Sequence, residues 1–389
     1  MWAAFSASLA SLLMYQDSFL FVNQVVGPLF LDVIKAAEKR MPFKLFQGVL
    51  YRRAPAYMRI ATWACFSVQL AWHLLLRGRS YKSLLIVSNP PFAPLLAPLA
   101  GRPYSLLLYD LYPHVLKQLG WPQLFLAPIM FIWHSLNRYI FSRAQFVFTI
   151  SDSMALELLP YFATPGLWEK KVIVVSPWAS ASDLLVNSSA TYDFRNEFGI
   201  SGILLTYSGN LGVTHPLEHL LEFAYLSEKL FPSVEVHVMI IGRGSKRNAL
   251  EKIAGDLHLS RCRLHFLDPL PYSKLGSALA ASDLAVVAID GPSANFSLPS
   301  KAFTAMACGK PLLAIAPKES ALAKLVNCYD CGFVVEPNPR APAVIAEIVA
   351  RVSESPALLR QLSANSLLAS RNYTQSNADR LIDVLLSAN

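Results

Sequence analysis

Apolar runs of strand length alternate with helical patterns along most of the chain. In the first half they are FLFVNQVV, SLLIVSNP, YSLLLYDLYP, QFVFTISD and KVIVVSPWA, and in the second GILLTYSGN, VEVHVMIIG, RLHFLD, DLAVVAI, PLLAIA and FVVEP. Runs that are apolar at nearly every position are typical of parallel strands covered on both faces by helices. The pattern therefore predicts an α/β protein with two doubly wound, Rossmann-like parallel sheets.

A polar, turn-rich stretch, residues 180–196, interrupts the alternation and is the best candidate for a linker. A chain of 389 residues exceeds what one hydrophobic core usually supports, so two domains are expected. We predict an N-terminal domain at 1–190, a second domain at 191–370, and a C-terminal helix at 371–389 that packs back on the first domain. Ligands of such a protein bind in the cleft, at the carboxyl ends of the strands.

The segment FSLPSKAFTAMACGKPLLAIA predicts a loop, a short helix and a buried strand. Pro299 suits a first helical turn, which leaves the amides of Ser300, Lys301 and Ala302 pointing forward and unpaired. Lys301 adds positive charge where the helix dipole disfavours it, unless an anion binds there. A phosphate would satisfy both the amides and the charge; the alternative is an ordinary helix with a solvated lysine.

Two further loops follow predicted strands and contain paired glycines. TYSGNLGVTHP places Gly209 and Gly212 at a strand end, and IIGRG places Gly242 beside Arg243. Each glycine pair alone is a weak signal, because any tight strand-to-helix turn can need glycine. Three such loops in one domain favour a nucleotide diphosphate ligand.

The composition points to an apolar surface. The chain is 54% hydrophobic and only 15% charged, which indicates an apolar surface that contacts a partner. A membrane is the obvious candidate for that partner. The formal charge of +8 agrees with attraction to anionic lipid, nucleic acid or phosphorylated metabolites. Nucleic acid is the weaker option, because the chain has no dense basic run interleaved with aromatics.

Two apolar segments are candidates for membrane contact. Residues 60–76 are nearly long enough to span a bilayer, but Gln69 and His73 favour a helix buried in a large domain. Residues 124–133 are too short to span, and they fit either an interfacial element that enters one leaflet or buried core.

The five cysteines are scattered through predicted core segments, which argues against a disulfide framework and for a reducing cytosol. Cys328 and Cys331 have CxxC spacing, but no second pair or histidine cluster completes a zinc site.

No basic residue precedes Lys35, so we expect no secretory signal. We therefore expect no bound metal and a cytoplasmic protein, peripheral on the inner face of the cell membrane.

Five segments in the second half together resemble the donor-domain blocks of GT-B fold glycosyltransferases of family 4, in the branch that assembles bacterial surface polysaccharides. They are, in order, YSGNLG, IIGRG, LDPLPYSKLGSALAASDLAVVAI, PSKAFTAMACGKPLLAIA and CGFVVEPN. The first half resembles the family more thinly, through SNPPF, YDLYPHVLKQLG, RAQFVFTISDSM and VIVVSPWA. The resemblance implies retaining transfer of a sugar from a nucleotide diphosphate donor, without a metal and without any cofactor besides that co-substrate.

The resemblance also implies roles for individual residues. Gly209, Asn210, Ser300 and Lys301 would bind the donor diphosphate, and Gly242, Arg243 and Thr304 the nucleotide. The chain contains no Asp-x-Asp motif, so a metal clamp on the diphosphate has no evident ligands. Helix amides and cationic side chains would then stabilise the charge that builds on the leaving phosphate.

Several positions depart from the family pattern. Many members have two glutamates where this chain has Phe296 and Thr304, and a threonine offers the ribose one hydroxyl instead of a carboxylate. The Arg and Lys of the first loop of the second domain are matched by Asn210 and His215, although the polysaccharide branch often has Asn there. The glycine-rich turn after the first strand is reduced to Gly27.

On the acceptor side, Asp110 is the first candidate catalytic residue, because a carboxylate at the end of an apolar strand is costly without a function. It would deprotonate the acceptor hydroxyl, or position it while the leaving phosphate takes the proton. His114 is the second catalytic candidate, near the donor sugar; the alternative is a helix-start histidine bonded to backbone. Ser151 and Asp152 fit either a site or a helix cap.

The first hypothesis is a retaining, metal-independent glycosyltransferase of the hexosyltransferase type that moves a sugar from a UDP- or GDP-sugar to a lipid-linked or otherwise membrane-bound acceptor, in polysaccharide or glycolipid assembly. The alternative is a catalytically weak GT-B scaffold or nucleotide-binding subunit of a glycan-assembly complex, since Phe296 and Thr304 replace both glutamates. An epimerase or a phosphorylase is a third option. However, the paired carboxylates that an epimerase needs are not evident in the sequence, and the chain is shorter than a phosphorylase.

Overall fold

The computed structural model describes residues 18–25, 27–52, 56–114, 123–179, 194–230, 235–260, 262–291, 294 and 297–387. The chain divides into two compact units. Unit 1 comprises Met1–Ser176 and Ser376–Asn389, and unit 2 comprises Pro177–Gln375. The predicted boundary at residue 190 and most of the predicted linker lie outside the described residues.

Unit 1 contains a six-stranded parallel sheet in the order β2-β1-β3-β4-β5-β6. Its strands are β1 (Phe19–Val22), β2 (Phe43–Phe46), β3 (Leu84–Val87), β4 (Tyr104–Leu108), β5 (Val147–Thr149) and β6 (Val172–Val174). Its helices include α1 (Pro28–Glu38), α2 (Ala56–Arg77), α3 (Gln123–Arg143), α4 (Asp152–Glu157) and α5 (Pro165–Lys171). Every residue of β1, β3 and β4 is buried, as expected for central parallel strands covered on both faces.

Unit 2 contains a second six-stranded parallel sheet, in the order β12-β11-β10-β7-β8-β9. Its strands are β7 (Ile203–Ser208), β8 (Val236–Ile241), β9 (Cys262–Leu267), β10 (Leu284–Ala288), β11 (Leu312–Ile315) and β12 (Gly332–Val335). Its helices include α6 (Glu218–Leu230), α7 (Arg247–Asp256), α8 (Tyr272–Ala281), α9 (Lys301–Ala307), α10 (Ala321–Tyr329), α11 (Ala341–Glu354) and α12 (Pro356–Ser370). The two doubly wound sheets confirm the predicted fold class.

The strand orders locate the point where each sheet reverses direction. In unit 2 the reversal lies between β7 and β10, and in unit 1 it lies between β1 and β3. Successive helices leave opposite faces of the sheet at such a point, so the loops part there and form a crevice at the carboxyl ends of the strands. Ligand-binding residues are therefore expected in the loops that follow β7 and β10.

The last helix, α13 (Ser376–Ser387), belongs to unit 1 and packs against α1. Its buried face consists of Ala378, Leu381, Ile382 and Leu385. Arg40, just after α1, forms ion pairs with Asp379, at 3.4 Å, and with Asp383. The predicted return of the C-terminal helix to the first domain is confirmed.

Helix α2 contains the longest apolar segment considered above. Thr62, Phe66, Leu70 and Leu74 recur every four residues and form its buried face. Trp72, on another face, is 66% exposed. Among the helices that the structure describes, none combines the length and apolar character needed to cross a membrane.

Candidate active site

The loops that follow β7 and β8 pack backbone against backbone. The Gly209 amide donates to the carbonyl of Ile241 at 2.9 Å, and the Leu211 amide donates to the carbonyl of Arg243 at 2.9 Å. Gly242 has φ +148°, and a Cβ built on it would lie 1.9 Å from the Gly209 carbonyl oxygen. No side chain fits at position 242, so this glycine is required for the two loops to approach.

Lys301, the first residue of α9, reaches across to β7 at the point where the sheet reverses. Its Nζ donates to the Tyr207 hydroxyl at 2.8 Å and lies 4.2 Å from the centroid of that ring. The Tyr207 hydroxyl in turn donates to the carbonyl of Asn210 at 2.6 Å. A Cβ on Gly209 would lie 3.1 Å from the same Nζ, which places the ammonium group directly beside the glycine loop.

The charge of Lys301 has no carboxylate partner within 4.0 Å among the described residues. Burial lowers the pKa of Lys301 to about 7, because the surrounding protein disfavours the charged form. Burial also raises the pKa of Tyr207, so its hydroxyl remains a neutral donor and acceptor. A partly buried ammonium group without a carboxylate partner is suited to bind an anion, which would raise the lysine pKa again.

The first turn of α9 differs from the prediction in one hydrogen bond. The Ala302 amide donates to the Pro299 carbonyl at 3.0 Å, so the prediction that it is left unpaired is wrong. The residues before α9 form a tight turn, and Ser300 has helical dihedral angles, with no hydrogen bond from its side chain to cap the helix. Ser300 is exposed at the start of the helix, and Thr304 lies one turn further along, partly buried.

Arg243 is exposed and forms a bidentate ion pair with Asp268. Asp268 was not among the residues predicted from the sequence. The Nε and Nη2 atoms of Arg243 donate to the two carboxylate oxygens at 3.1 and 2.8 Å. The hydrogen bond from Arg243 lowers the pKa of Asp268. Asp268 directly follows β9, so its position at the carboxyl edge could have been inferred from the run RLHFLD.

Asp110 lies two residues after β4 in unit 1. The Ser88 hydroxyl oxygen accepts from the amides of Tyr109 and Asp110, at 3.0 and 3.3 Å, and so fixes this turn. The protein packed around the Asp110 carboxyl group displaces water from it and so raises its pKa, although part of the surface of this residue stays exposed. No cationic side chain of the described residues lies within 4.0 Å of its carboxylate. An unpaired carboxylate with a raised pKa is suited to accept a proton.

His114 and Asp110 line different pockets. Asp110 borders a small pocket with Ser88 and Tyr112. His114 borders a cavity of about 370 Å³, where its Nε2 is 3.8 Å from a Glu157 carboxylate oxygen. The structure therefore does not bring the two predicted catalytic side chains into one pocket.

Ser151 and Asp152 have a structural role. The Ser151 hydroxyl accepts from the amide of Met154 at 3.2 Å, which makes it the N-cap of α4, and Asp152 is the first residue of that helix. The capping alternative is confirmed for Ser151.

Comparisons with known proteins point to one class of enzyme. Residues 191–367 match the family model of glycosyl transferases group 1. The chain is 25% identical, over 297 residues, to the probable glycosyltransferase WbjE of Pseudomonas aeruginosa, a match that covers 74% of this chain and 69% of that protein.

Solved structures of the same architecture cover nearly the whole chain. HepE of Anabaena, crystallised with UDP and glucose, has a TM-score of 0.69 at 16% identity and covers 96% of this chain and 100% of that one. WaaG, a glycosyltransferase of lipopolysaccharide biosynthesis, has a TM-score of 0.66 at 16% identity, covering 94% and 98%. The chain thus has the fold of the GT-B glycosyltransferases, and unit 2 matches the glycosyl transferases group 1 family, as the resemblance read from the sequence implied. The chain is a glycosyltransferase, matched by the group 1 family through unit 2.

Proposed function

We propose that the protein is a retaining, metal-independent glycosyltransferase of family 4 that transfers a sugar from a UDP- or GDP-sugar to a lipid-linked or otherwise membrane-bound acceptor, in the assembly of a polysaccharide or glycolipid. The observation that carries the proposal is the partly buried, carboxylate-free ammonium group of Lys301, held beside the Gly209 loop where the unit 2 sheet reverses.

The donor diphosphate would lie between the Gly209 loop and Lys301. Gly209 brings backbone to this place without a side chain, and Lys301 supplies the positive charge that an anion needs. HepE, which shares the fold, was crystallised with UDP and with UDP-glucose, which supports a nucleotide sugar as the donor. Asn210 and Ser300 border the same loops, while Arg243 would have to exchange its Asp268 partner for the nucleotide.

The reaction breaks the bond between the anomeric carbon of the sugar and the β-phosphate oxygen. The acceptor hydroxyl oxygen forms its bond to that carbon on the same face, so the anomeric configuration is retained. Negative charge builds on the leaving phosphate, where the ammonium group of Lys301 stabilises it more in the transition state than in the ground state. Asp110 orients the acceptor hydroxyl and takes its proton, a task for which its raised pKa is suited.

Membrane association would come from unit 1. Trp72 on α2 is 66% exposed, and Phe131 and Ile132 on α3 are 74% and 60% exposed. Arg138 and Arg143 lie on the same helix as the latter two residues. Large apolar side chains next to arginines are typical of a surface that inserts shallowly among anionic lipids. We place the enzyme on the cytoplasmic face of the membrane, where nucleotide sugars are made available.

The proposal is tested by measuring nucleotide binding and sugar transfer in the same preparation. Calorimetric titration with UDP and GDP should give binding for one of them, and a panel of UDP- and GDP-sugars should show release of that nucleotide, with or without EDTA. Nucleotide binding without any turnover would favour the alternative, a catalytically weak subunit, for which Thr304 at a glutamate position is the supporting feature. Activity abolished by EDTA and restored by Mg²⁺ would refute the metal-independent mechanism.

A further inference from the structure

The cavity of about 370 Å³ in unit 1 takes no part in the proposed donor binding or proton transfer. It lies among α3, α4 and the short helical segment Leu159–Tyr161, beside the loop that follows β4. Its volume falls within the range of about 300 to 1,000 Å³ that is usual for small-molecule pockets. His114, Phe131, Ser135, Arg138 and Glu157 are the lining residues on which its chemistry depends.

The cavity offers both hydrogen-bond donors and acceptors, and its fixed charges cancel. Arg138 donates to the Pro160 carbonyl at 3.2 Å through one nitrogen, and a guanidinium group has further N–H donors. The Ser135 hydroxyl donates to the Phe131 carbonyl at 2.9 Å, so its oxygen can still accept. Glu157 adds an acceptor carboxylate that balances the charge of Arg138. This balance differs from the Lys301 site, where a cation has no carboxylate partner.

The cavity also has an aromatic wall and a rigid floor. The Phe131 side chain is 74% exposed, so a ligand can stack on its ring. His134 and Tyr161 are hydrogen-bonded to each other at 2.6 Å, with their rings nearly parallel, at 20°. An exposed aromatic ring surrounded by neutral or balanced polar groups fits the apolar C–H face and the hydroxyls of a sugar, and it does not favour a phosphate.

The apolar surface of α3 continues from this cavity. Phe131 lines the cavity, and Ile132 and Leu136, its neighbours on the same helix, are 60% and 42% exposed. A sugar bound in the cavity would therefore lie next to a surface suited to the hydrocarbon part of a glycolipid.

We propose that this cavity binds an uncharged sugar unit of the acceptor, with Phe131 against the sugar ring and with Glu157, Ser135 and Arg138 bonded to its hydroxyls. The inference rests on the proposed function and specifies its acceptor as a neutral glycolipid or oligosaccharide chain. His114 then contacts the acceptor sugar, whereas the interpretation of the sequence placed it near the donor sugar.

The test uses saturation-transfer NMR on the full chain with the methyl α- and β-pyranosides of glucose, galactose and mannose as probes. We expect at least one glycoside to give transfer signals with the wild-type protein. The signals should fall about tenfold in Ser135→Trp, which fills the cavity, and in Phe131→Ala. They should be retained in Phe131→Trp, which keeps the aromatic wall. Ser142→Trp is the matched control, because Ser142 also lies on α3 and bonds to a carbonyl of that helix, outside the cavity.

The outcomes separate the two proposals. No signal from any glycoside with the wild-type protein, or equal signals in Ser135→Trp and Phe131→Ala, would overturn the sugar cavity. Loss of the glycoside signals when inorganic pyrophosphate is added would overturn the sugar cavity as well, since the cavity would then be an anion site. UDP or GDP affinity should be the same in all variants, and absence of nucleotide binding in every variant would refute the proposed function while leaving the glycoside result intact.

Discussion

The pKa of Lys301 makes donor binding depend on pH. In the free protein burial lowers this pKa to about 7, and a bound diphosphate would restore the charged form. At pH 8 only about one tenth of the free protein carries the proton on Lys301, so binding takes up about 0.9 proton. At pH 6 the lysine is already protonated, and the uptake falls to about 0.1 proton.

The affinity should follow the same titration. The apparent Kd for a nucleotide sugar should be nearly constant below pH 6.5 and should rise towards about tenfold per pH unit above pH 7.5. A nucleotide sugar is the better probe, because its diphosphate diester does not titrate in this range. Calorimetry at pH 8 in HEPES and in Tris, which differ in ionisation enthalpy and do not compete as phosphates, measures the proton uptake directly.

Substitutions at Lys301 test the cause. In Lys301→Met the affinity should drop by about 10- to 150-fold, since one charge-assisted contact contributes about 1.5 to 3 kcal/mol, and the proton uptake should disappear. Lys301→Arg should lose the pH dependence, because arginine stays charged. Lys252→Met, at an exposed position on α7, should behave as wild type. Proton uptake that persists in Lys301→Met would refute the reasoning.

The same pKa has a consequence for stability. Between pH 7 and about 10.5 the unfolded chain binds more protons at this lysine than the folded protein does, so the free protein should gain stability as the pH rises through this window. Lys301→Met removes the buried amine, and its Tm at pH 7 should equal or exceed that of wild type. A lower Tm would show that the lysine is held by favourable contacts in the free protein.

Three further predictions concern other parts of the molecule. Asp110→Asn should reduce sugar transfer by about 10²- to 10⁴-fold and leave nucleotide affinity unchanged, as measured by product NMR and calorimetry. Gly242→Ala should lower the Tm and weaken nucleotide binding, because its Cβ would lie 1.9 Å from the carbonyl oxygen of Gly209. Trp72→Ser combined with Ile132→Ser should release the protein from anionic vesicles in a flotation assay.

Each of these has an outcome that would contradict it. Full transfer activity in Asp110→Asn would exclude a role as the proton acceptor. A wild-type Tm in Gly242→Ala would show that the two loops can separate without cost. For flotation the control is Leu368→Ser, a residue 61% exposed on unit 2, and equal release by that variant would indicate nonspecific adsorption.

The sequence missed β2 (Phe43–Phe46), which is short and partly exposed, but it predicted the other strands because they are apolar at almost every position. Such runs form strands buried on both faces in either unit, so the fold class follows from local pattern alone. The fold class alone does not show which loops are in contact. Lys301 meets Tyr207, 94 residues earlier in the chain, because β7 and β10 are neighbours at the reversal of the sheet. That adjacency is a property of strand order, which periodicity does not encode.

Partners of polar side chains were the weakest part of the sequence interpretation. Arg243 was expected to face a nucleotide, and in the structure it faces Asp268, which comes from the neighbouring strand end. The free amide expected at Ala302 is used by a turn, since Pro299 offers its carbonyl three residues earlier. Each outcome depends on geometry within a few ångströms, which residue type and spacing do not determine.

The measurement that tests the central claim most directly is calorimetric titration of UDP and of GDP into the wild-type protein and into Lys301→Met, at pH 6.5 where the lysine carries its proton. The account predicts binding of one nucleotide to the wild type and a loss of about 10- to 150-fold in the variant. Failure of both nucleotides to bind the wild type, or equal affinity in the two proteins, would contradict a donor site built on Lys301.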